Sequence, residues 1–382
     1  MIAARPLRVS WVSGAFGYGD ELAYFRQVFD EMLTRVPGIS IFVREGFPIE
    51  RYPELPLRPE LRFWRRARDR KVGDFVYTGN IRVPTLRALF RLARHRADVM
   101  IVVEFTPTAL LTIAVSLLLR RRVLQLIESH PRFRGGADNG AVRWIKGFVA
   151  RRCDAQLASN QTTADYLATQ LRIPDERIHV GPYLTSDPGG ALPARDDGGP
   201  VRLLFLNSLQ ERKGLHLLME ALAETSGDGQ REWSLDVVGD GPARASLAER
   251  AERLGIASRV VFHGAVSHGD VGSHYERSHV VICPTQGDYR SLAAFESVNA
   301  RRPVVLSVHD GAAEEIVAAG AAATVIDPLD ADAFAAALSR FLQQDDYLAS
   351  QLELAAEPPS AFSLRSVGEN LEQAVRLAAG RR

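Results

Sequence analysis

Residues 203–214, LLFLNSLQERKG, followed by the helix-forming segment 215–223, decide the fold of this chain. The apolar run that ends near Leu206 has the composition of a buried strand, and the leucine spacing after Gly214 is that of a helix. Between them a polar turn carries Arg212 and Lys213. A buried strand that passes through a short turn into a helix is typical of a parallel sheet wrapped by helices.

The same alternation of apolar runs and helical segments extends in both directions from this stretch. Strands are predicted at residues 7–12, 39–43, 99–103, 123–127 and 155–158, and again at 201–206, 235–238, 260–263, 280–283, 304–307 and 323–326. Residues 186–200, rich in glycine, proline and aspartate, are predicted to be a linker. The fold class is therefore α/β, with two doubly wound, Rossmann-like domains at 1–190 and 200–360 facing across a cleft. The pattern leaves open that a C-terminal helix within 361–382 packs back on the first domain.

Length and composition agree with two ordinary globular domains, since the chain has 382 residues, 46% hydrophobic and 24% charged. The formal net charge of +1 hides a split, because residues 1–200 carry a net +9 and the remainder a net −8. Basic residues are densest over 61–72, around Phe63 and Trp64. This run is either a solvated charged loop or a docking surface for an anionic membrane or acceptor. Nucleic acid is not an expected partner.

Cysteine usage and the N-terminal sequence bear on the compartment. Cys153 and Cys283 are flanked by apolar residues and are predicted to be buried thiols in a reducing environment. The N-terminus reaches a strand without the apolar region of a signal peptide, and the longest apolar span, 109–119, is too short to cross a bilayer. A cytoplasmic protein is expected, with at most a peripheral contact at the inner face of a membrane.

Lys213 is one of three lysines against 44 arginines, which makes its place beside Gly214 at a predicted helix start notable. Free backbone amides and a positive side chain at a helix N-terminus favour a diphosphate. A solvated basic turn is the alternative. Further along, residues 288–296, DYRSLAAFE, place Asp288 on a loop and Glu296 early in a helix. Both carboxylates can accept hydrogen bonds from sugar hydroxyls, although acidic residues are common on helices without such a role.

These motifs together resemble the GT-B glycosyltransferases, and within them glycosyltransferase family 4. The matching segments, in order, are Asn207-Ser208-Leu209, Lys213-Gly214, Gly239-Asp240-Gly241-Pro242, Phe262-His263-Gly264, the 288–296 motif, Pro303-Val304-Val305 and 311–315. The resemblance implies a retaining transfer of a sugar from a UDP- or GDP-linked donor to a saccharide, a lipid-linked or a small-metabolite acceptor. It implies no cofactor and no metal, and the chain shows no metal-ligand cluster, Ser-His-Asp set or Walker loop in its sequence.

The resemblance also assigns site residues. The implied catalytic residues are His130, Lys213, Asp288 and Glu296, and the implied donor-binding residues are Gly17, Gly19, Ser208, Arg212, Gly241, Gly264, Val266, Ser291 and Leu292. His130 follows the predicted strand 123–127 and would lie near the reacting sugar, with an ordinary loop histidine as the alternative. Gly17 and Gly19 would let the backbone approach the diphosphate or the acceptor, although a tight turn explains them nearly as well.

Three departures from the family pattern bear on activity. The family's phosphate-binding arginine falls on Ser208, its first acidic residue is the shorter Asp288, and glycines near the second motif are replaced by Ser291 and Arg301. Two alternatives to transfer therefore stay open. One is a nucleotide-sugar binding module without turnover, and the other is a nucleotide-sugar 2-epimerase on the same fold.

Overall fold

The computed structural model describes residues 6–14, 21–72, 75–128, 140–189, 198–225 and 231–380, and over 65–80 it describes the backbone alone. The chain divides into two compact units. Unit 1 comprises Met1–Thr185 with Leu364–Arg382, and unit 2 comprises Ser186–Ser363.

Unit 1 is built around a seven-stranded sheet in the order β3-β2-β1-β6-β7-β8-β9, with parallel neighbours throughout. Its strands are β1 (Val9–Val12), β2 (Ile39–Arg44), β3 (Leu57–Leu61), β6 (Val99–Val103), β7 (Arg122–Ile127), β8 (Ala155–Ala158) and β9 (Ile178–Val180), and β4 (Phe63–Val72) and β5 (Phe75–Pro84) form a separate hairpin. Its helices are α1 (Glu21–Arg35), α2 (Leu86–Arg94), α3 (Pro107–Leu118), α4 (Gly140–Ala150), α5 (Gln161–Asp165), which continues into a π turn at Tyr166–Gln170, and α13 (Leu364–Gly380).

The two faces of this sheet carry different helices. Val9, Trp11 and Ile101 point to the face covered by α1 and α13. Val12 and Val102 point to the other face, which α2, α3 and α4 cover. The alternation follows from the two-residue period of a strand, which sends successive side chains to opposite faces.

Unit 2 repeats the architecture with a six-stranded parallel sheet in the order β12-β11-β10-β13-β14-β15. Its strands are β10 (Val201–Leu206), β11 (Trp233–Val238), β12 (Val260–Gly264), β13 (Val280–Cys283), β14 (Val304–Ser307) and β15 (Ala323–Ile326). Its helices are α6 (Leu215–Glu224), α7 (Arg244–Arg253), α8 (Val271–Arg277), α9 (Leu292–Asn299), α10 (Ala312–Ala318), α11 (Ala331–Gln343) and α12 (Asp345–Ala356). The strand order reverses between β10 and β13, where α/β sheets of this kind bind ligands at the carboxyl ends of the strands.

The predicted α/β class with two doubly wound units is confirmed, and every predicted strand is present. Four strands of unit 1 were not predicted as such, namely β3, β4, β5 and β9. β9 is three residues long, β3 contains Pro59 and Glu60, and β4 contains most of the basic run at 61–72. The backbone of that run is a strand and not a loop, because β4 pairs with β5 from Phe63↔Pro84 to Val72↔Phe75. The solvated-loop alternative is therefore wrong in this respect. Hairpin pairing outweighs the weak strand propensity of arginine and lysine.

The last helix belongs to unit 1. Val367 and Leu371 are fully buried in the same core as Trp11, and Arg35 of α1 makes ion pairs of 3.3 and 3.4 Å with Glu369 and Glu372. At the other junction, the start of the predicted linker is packed in unit 2. The carbonyl of Ser186 accepts a 2.9 Å hydrogen bond from the side-chain amide of Asn299.

Two further sequence predictions concern cysteines and membrane spans. Cys153 and Cys283 are buried free thiols, as predicted, and burial raises the pKa of both. Across the described part of the chain, no helix combines the length and apolar character that a bilayer crossing requires.

Candidate active site

The turn after β10 fixes the position of Lys213. A single 3-10 turn, Glu211–Lys213, leads into Gly214, which has a left-handed backbone with φ of 75° and starts α6. A Cβ atom at Gly214 would lie 1.9 Å from the carbonyl oxygen of Pro284, so only glycine fits there. The turn therefore rests directly on the chain that leaves β13.

The two basic residues of this turn converge on one carboxylate. Lys213 is 7% exposed and its ammonium donates a hydrogen bond to Oδ2 of Asp288. The Arg212 guanidinium donates to the carbonyl of Gly287 at 3.1 Å and lies 3.8 Å from the same Asp288 oxygen. The amide of Gln286 donates to the carbonyl of Arg212 at 2.8 Å. Residues 75 positions apart in the sequence are thus held together at the β10–β13 switch point.

The loop of Asp288 is joined to the loop after β14. The amide of Asp288 donates to the carbonyl of His309 at 3.1 Å, and the amide of Gly311 donates back to the carbonyl of Asp288 at 3.1 Å. The buried Asp310 side chain accepts from the amide and hydroxyl of Ser291 at 3.2 and 2.5 Å, and from the amide of Ala312 at 2.9 Å. Asp310 therefore positions the first residues of α9 and α10 at once.

Asp310 is a site residue that sequence reasoning missed. Burial, and then the negative charge of Asp288 nearby, raise the pKa of its carboxyl to about 6. The available signal was its place just after the predicted strand 304–307, at the same sheet edge as Asp288. A second missed contact is the two-pronged pair between Arg290 and Glu315, with nitrogen to oxygen distances of 3.0 and 3.1 Å. That pair ties the acidic motif to α10.

Glu296 lies in a different environment from Asp288. It is 3% exposed within α9 and accepts a 3.0 Å hydrogen bond from the hydroxyl of Tyr275 on α8. Burial raises the pKa of its carboxyl, and the hydroxyls of Ser186 and Tyr275 work against that rise. Ser291 and Leu292 precede it at the start of α9. The two carboxylates predicted to bind sugar hydroxyls thus take different protein partners.

The remaining donor-binding candidates of unit 2 lie at the same sheet edge. Ser208 follows β10, and its amide donates to the side-chain oxygen of Asn207 at 3.0 Å. Gly241 follows β11 and lies close to the backbone of Leu209. A Cβ atom added to Gly241 would lie 2.5 Å from the carbonyl oxygen of Leu209. Gly264 ends β12, and its carbonyl accepts from the amide of Gly239 at 2.8 Å. Val266 packs against the core beneath α8 and α9.

Three of the predicted site residues are not described by the structure. His130, Gly17 and Gly19 lie outside the described residues. Their roles near the reacting sugar and the diphosphate stay predictions.

One group of potential metal ligands comes together within the described part of the chain. Ligand atoms of Asp236, His263 and His274 lie within 4.8 Å of one another, although they come from three separate elements. His263 Nε2 is 2.7 Å from Asp236, which explains the pair without a metal. Arg277 donates to Nδ1 of His274 at 3.2 Å, so the other ring nitrogen of a neutral His274 carries the proton and is not free to bind a cation.

Comparison with known proteins places this geometry in a family. Residues 24–183 match the family model described as "Glycosyl transferase 4-like domain", and residues 194–357 match that described as "Glycosyl transferases group 1". The two models between them take in most of the chain.

Among curated proteins, the chain is 27% identical over 242 residues to alpha-D-kanosaminyltransferase of Streptomyces kanamyceticus, which covers 60% of this chain and 62% of that protein. It is 27% identical over 172 residues to 2-deoxystreptamine glucosyltransferase of the same organism, covering 42% of this chain and 44% of that protein. The matched region thus spans less than two thirds of the length of either relative.

Among solved structures, the fold is similar to that of HepE from Anabaena in complex with UDP-glucose. The TM-score is 0.70 at 16% identity, over 97% of this chain and 99% of the other. The fold, the two consecutive family matches and the ordered motifs agree with one another. The chain is therefore a divergent member of the GT-B glycosyltransferases, with a glycosyl transferase 4-like domain followed by a glycosyl transferases group 1 domain.

Proposed function

We propose that this protein transfers a sugar from a nucleoside-diphosphate donor to an acceptor hydroxyl, with retention of the anomeric configuration. The observation that carries the proposal is the nearly buried Lys213, held at the carboxyl edge of the unit 2 sheet directly before α6. A cation there, beside the free amides of a helix N-terminus, suits a diphosphate.

Asp288 gives Lys213 a counter-charge before the donor arrives. A lysine of 7% exposure without a counter-charge would be costly to keep protonated. In our proposal the donor diphosphate takes over the ammonium of Lys213, with Arg212 as a second cation in place of the family arginine that Ser208 replaces. Asp288 is then released to accept a hydrogen bond from the donor sugar.

Glu296 is proposed to hold the ribose of the nucleotide, with its carboxylate already oriented by Tyr275. UDP is the favoured nucleotide because HepE, a protein of similar fold, was solved with UDP-glucose, and GDP is the alternative. His130 is proposed to face the reacting sugar from the first domain. No metal is required in this scheme, since Lys213 and the helix terminus offset the charge of the leaving diphosphate.

The proposed chemistry needs no side-chain nucleophile. The bond between the anomeric carbon and the diphosphate oxygen breaks, and the acceptor oxygen forms a bond to the same face of that carbon. The acceptor proton passes to the departing phosphate oxygen. Lys213 stabilises the negative charge that develops on the diphosphate, which is where a preorganised cation lowers the barrier most.

The acceptor is proposed to be a saccharide, a lipid-linked saccharide or a small metabolite. One matched relative is named for glucosyl transfer to 2-deoxystreptamine, a small metabolite. We further propose a cytoplasmic location with peripheral membrane contact and no nucleic-acid partner.

A donor screen tests the proposal. Thermal shifts with UDP- and GDP-sugars identify the donor, and NMR of the product formed with a panel of acceptors gives its anomeric configuration. Lys213→Ala should lower kcat/KM by about 10- to 100-fold, as expected for loss of one charged hydrogen bond. Arg253→Ala, an exposed cation on α7 of the same unit, is the matched control and should leave kcat/KM unchanged.

The outcomes separate the alternatives. Donor binding with neither transfer to any acceptor nor hydrolysis of the donor would indicate a binding module. An isomerised donor formed without acceptor would indicate a 2-epimerase, and an inverted product would exclude retention. The absence of any nucleotide-sugar binding would overturn the proposal as a whole.

A further inference from the structure

The helix layer formed by α2, α3 and α4 on one face of the unit 1 sheet differs sharply in charge from the layer on the other face. The three helices, LRALFRLAR, PTALLTIAVSLL and GAVRWIKGFVA, contain no aspartate or glutamate. On the opposite face, α1 and α13 carry five acidic residues, two of which pair with Arg35 across the layer. One face of the unit is thus cationic, and the other is mixed in charge.

The same acid-free layer exposes an unusual amount of apolar surface. Leu118 at the end of α3 is 82% exposed, Trp144 on α4 is 64% exposed and Phe90 on α2 is 59% exposed. The other large apolar side chains exposed there are Leu86, Leu117, Leu119, Val142, Ile145 and Phe148. Isolated exposed apolar residues are ordinary, but a set concentrated on one layer marks an interaction surface.

Two exposed rings of α4 and an arginine just after this helix lie in a row. Trp144 and Phe148, four residues apart, stack with centroids 5.4 Å apart, and the guanidinium of Arg152 lies 3.4 Å from the centre of the Phe148 ring. On α2 the guanidinium of Arg94 lies 5.5 Å from the centre of the Phe90 ring. Aromatic side chains next to cations suit the boundary between acyl chains and phosphate headgroups.

The cations of this layer are largely available to an outside anion. Among the described residues, Arg87, Arg94, Arg143 and Arg152 have no carboxylate within ion-pair distance, whereas Arg91 pairs with Glu45 at 3.3 Å. A surface depression beside Phe90 is lined by Arg87, Arg91 and Arg94 together with Glu60 and His95. Three guanidinium groups around one depression fit a phosphate-bearing headgroup.

We propose that the outer surface of α2, α3 and α4 docks on an anionic lipid bilayer, with Trp144, Phe148 and Phe90 entering the interface and the arginines contacting lipid phosphates. A protein partner would have to combine anionic side chains with a large apolar face. An anionic bilayer offers anionic headgroups and an apolar interior over one continuous surface. The assignment is independent of the proposed sugar transfer.

Vesicle flotation tests the docking surface. The purified full-length protein is mixed with neutral phosphatidylcholine vesicles, or with vesicles that also contain phosphatidylglycerol, at low and high salt. Binding is expected only to the anionic vesicles and should weaken with salt. The Trp144→Ser/Phe148→Ser variant should lower the partition coefficient at least about tenfold, because two aromatic side chains no longer enter the interface.

Two matched variants complete the test. Tyr24→Ser removes an exposed aromatic residue from α1 on the other face and should bind vesicles as the wild type does. The Arg87→Gln/Arg94→Gln/Arg143→Gln variant should lose about fivefold per arginine at low salt. Thermal unfolding midpoints equal to that of the wild type show that a loss of binding is not a loss of fold.

Three results would overturn the proposal. The first is equal binding to neutral and anionic vesicles, and the second is wild-type binding by the Trp144→Ser/Phe148→Ser variant. The third is that no protein floats with vesicles, while the wild type forms an oligomer and this variant is a monomer. Nucleotide-sugar binding, measured on the same samples, reports separately on the proposed function.

Discussion

The two ends of the 288–296 motif lie in opposite environments, although only eight positions separate them. Asp288 is on a loop at the sheet edge, paired with Lys213 and joined to the loop of Asp310. Glu296 is buried within a helix and accepts a hydrogen bond from the neutral hydroxyl of Tyr275. The difference suggests a division of roles. Asp288 pairs with the ammonium of Lys213 until the donor binds, and Glu296 offers a rigidly held hydrogen-bond acceptor to the ribose.

The largest expected effect comes from removing the charge of Asp288. Asp288→Asn should reduce turnover of the complete donor by about 100-fold, since a group that acts only on the reacting sugar is lost. Affinity for UDP alone should not fall, because Lys213 loses its competing carboxylate. Isothermal titration and initial rates measure both, with Asp332→Asn on α11 as the control. A parallel fall in UDP affinity would contradict the division of roles.

Next in size is a pH effect centred on Asp310. Its pKa is raised in the folded protein from 3.8 to about 6, so the folded state keeps this proton longer than the unfolded state. The free energy of unfolding should therefore fall as pH rises from about 4 to 6, by on the order of 2 kcal/mol. Asp310→Asn should lack this component. Urea unfolding of both proteins measures this free energy across that pH range. Parallel plots of the free energy of unfolding against pH for the two proteins would contradict the prediction.

A smaller effect is expected at the enclosed end of the motif. Glu296→Gln keeps an oxygen that can accept from Tyr275 but replaces a charged ribose acceptor by a neutral one. UDP binding should weaken about tenfold, the difference between a charged and a neutral hydrogen bond. Tyr275→Phe, which leaves the carboxylate in place, should weaken UDP binding less. An unchanged Kd for Glu296→Gln would remove this residue from the nucleotide site.

The smallest effect is expected for Ser291→Ala. The variant loses the hydroxyl that donates to Asp310 and keeps the backbone amide that also donates there. The free energy of unfolding should fall by about 1 kcal/mol, with turnover nearly unchanged. Ser246→Ala, on the surface of α7, serves as the control. A loss of turnover comparable to that of Asp288→Asn would show that Ser291 contacts the donor directly.

The fold was largely predictable because its strands are short runs of valine, isoleucine and leucine, which few other structures accommodate. The β4–β5 hairpin was not, since Arg66, Arg68 and Arg70 have no strand signature and the register is specified by pairing across the hairpin. The sequence also indicated that Lys213 and Asp288 share a sheet edge. Their ion pair, and the parts played by Asp310 and Tyr275, depend on how separate loops and helices pack, which no linear spacing records.

The return of α13 to unit 1 has a consequence for protein synthesis. Residues 186–363 form an unbroken segment and can complete their fold as soon as they leave the ribosome. Residues that precede 186 emerge earlier, yet the side of their sheet that carries Trp11 lacks Val367, Leu371 and Val375 until residues 364–380 have been made. Unit 1 therefore starts to be made before unit 2 but completes its core after it, and a premature stop before residue 364 would leave the apolar surface of unit 1 open to aggregation or to chaperones.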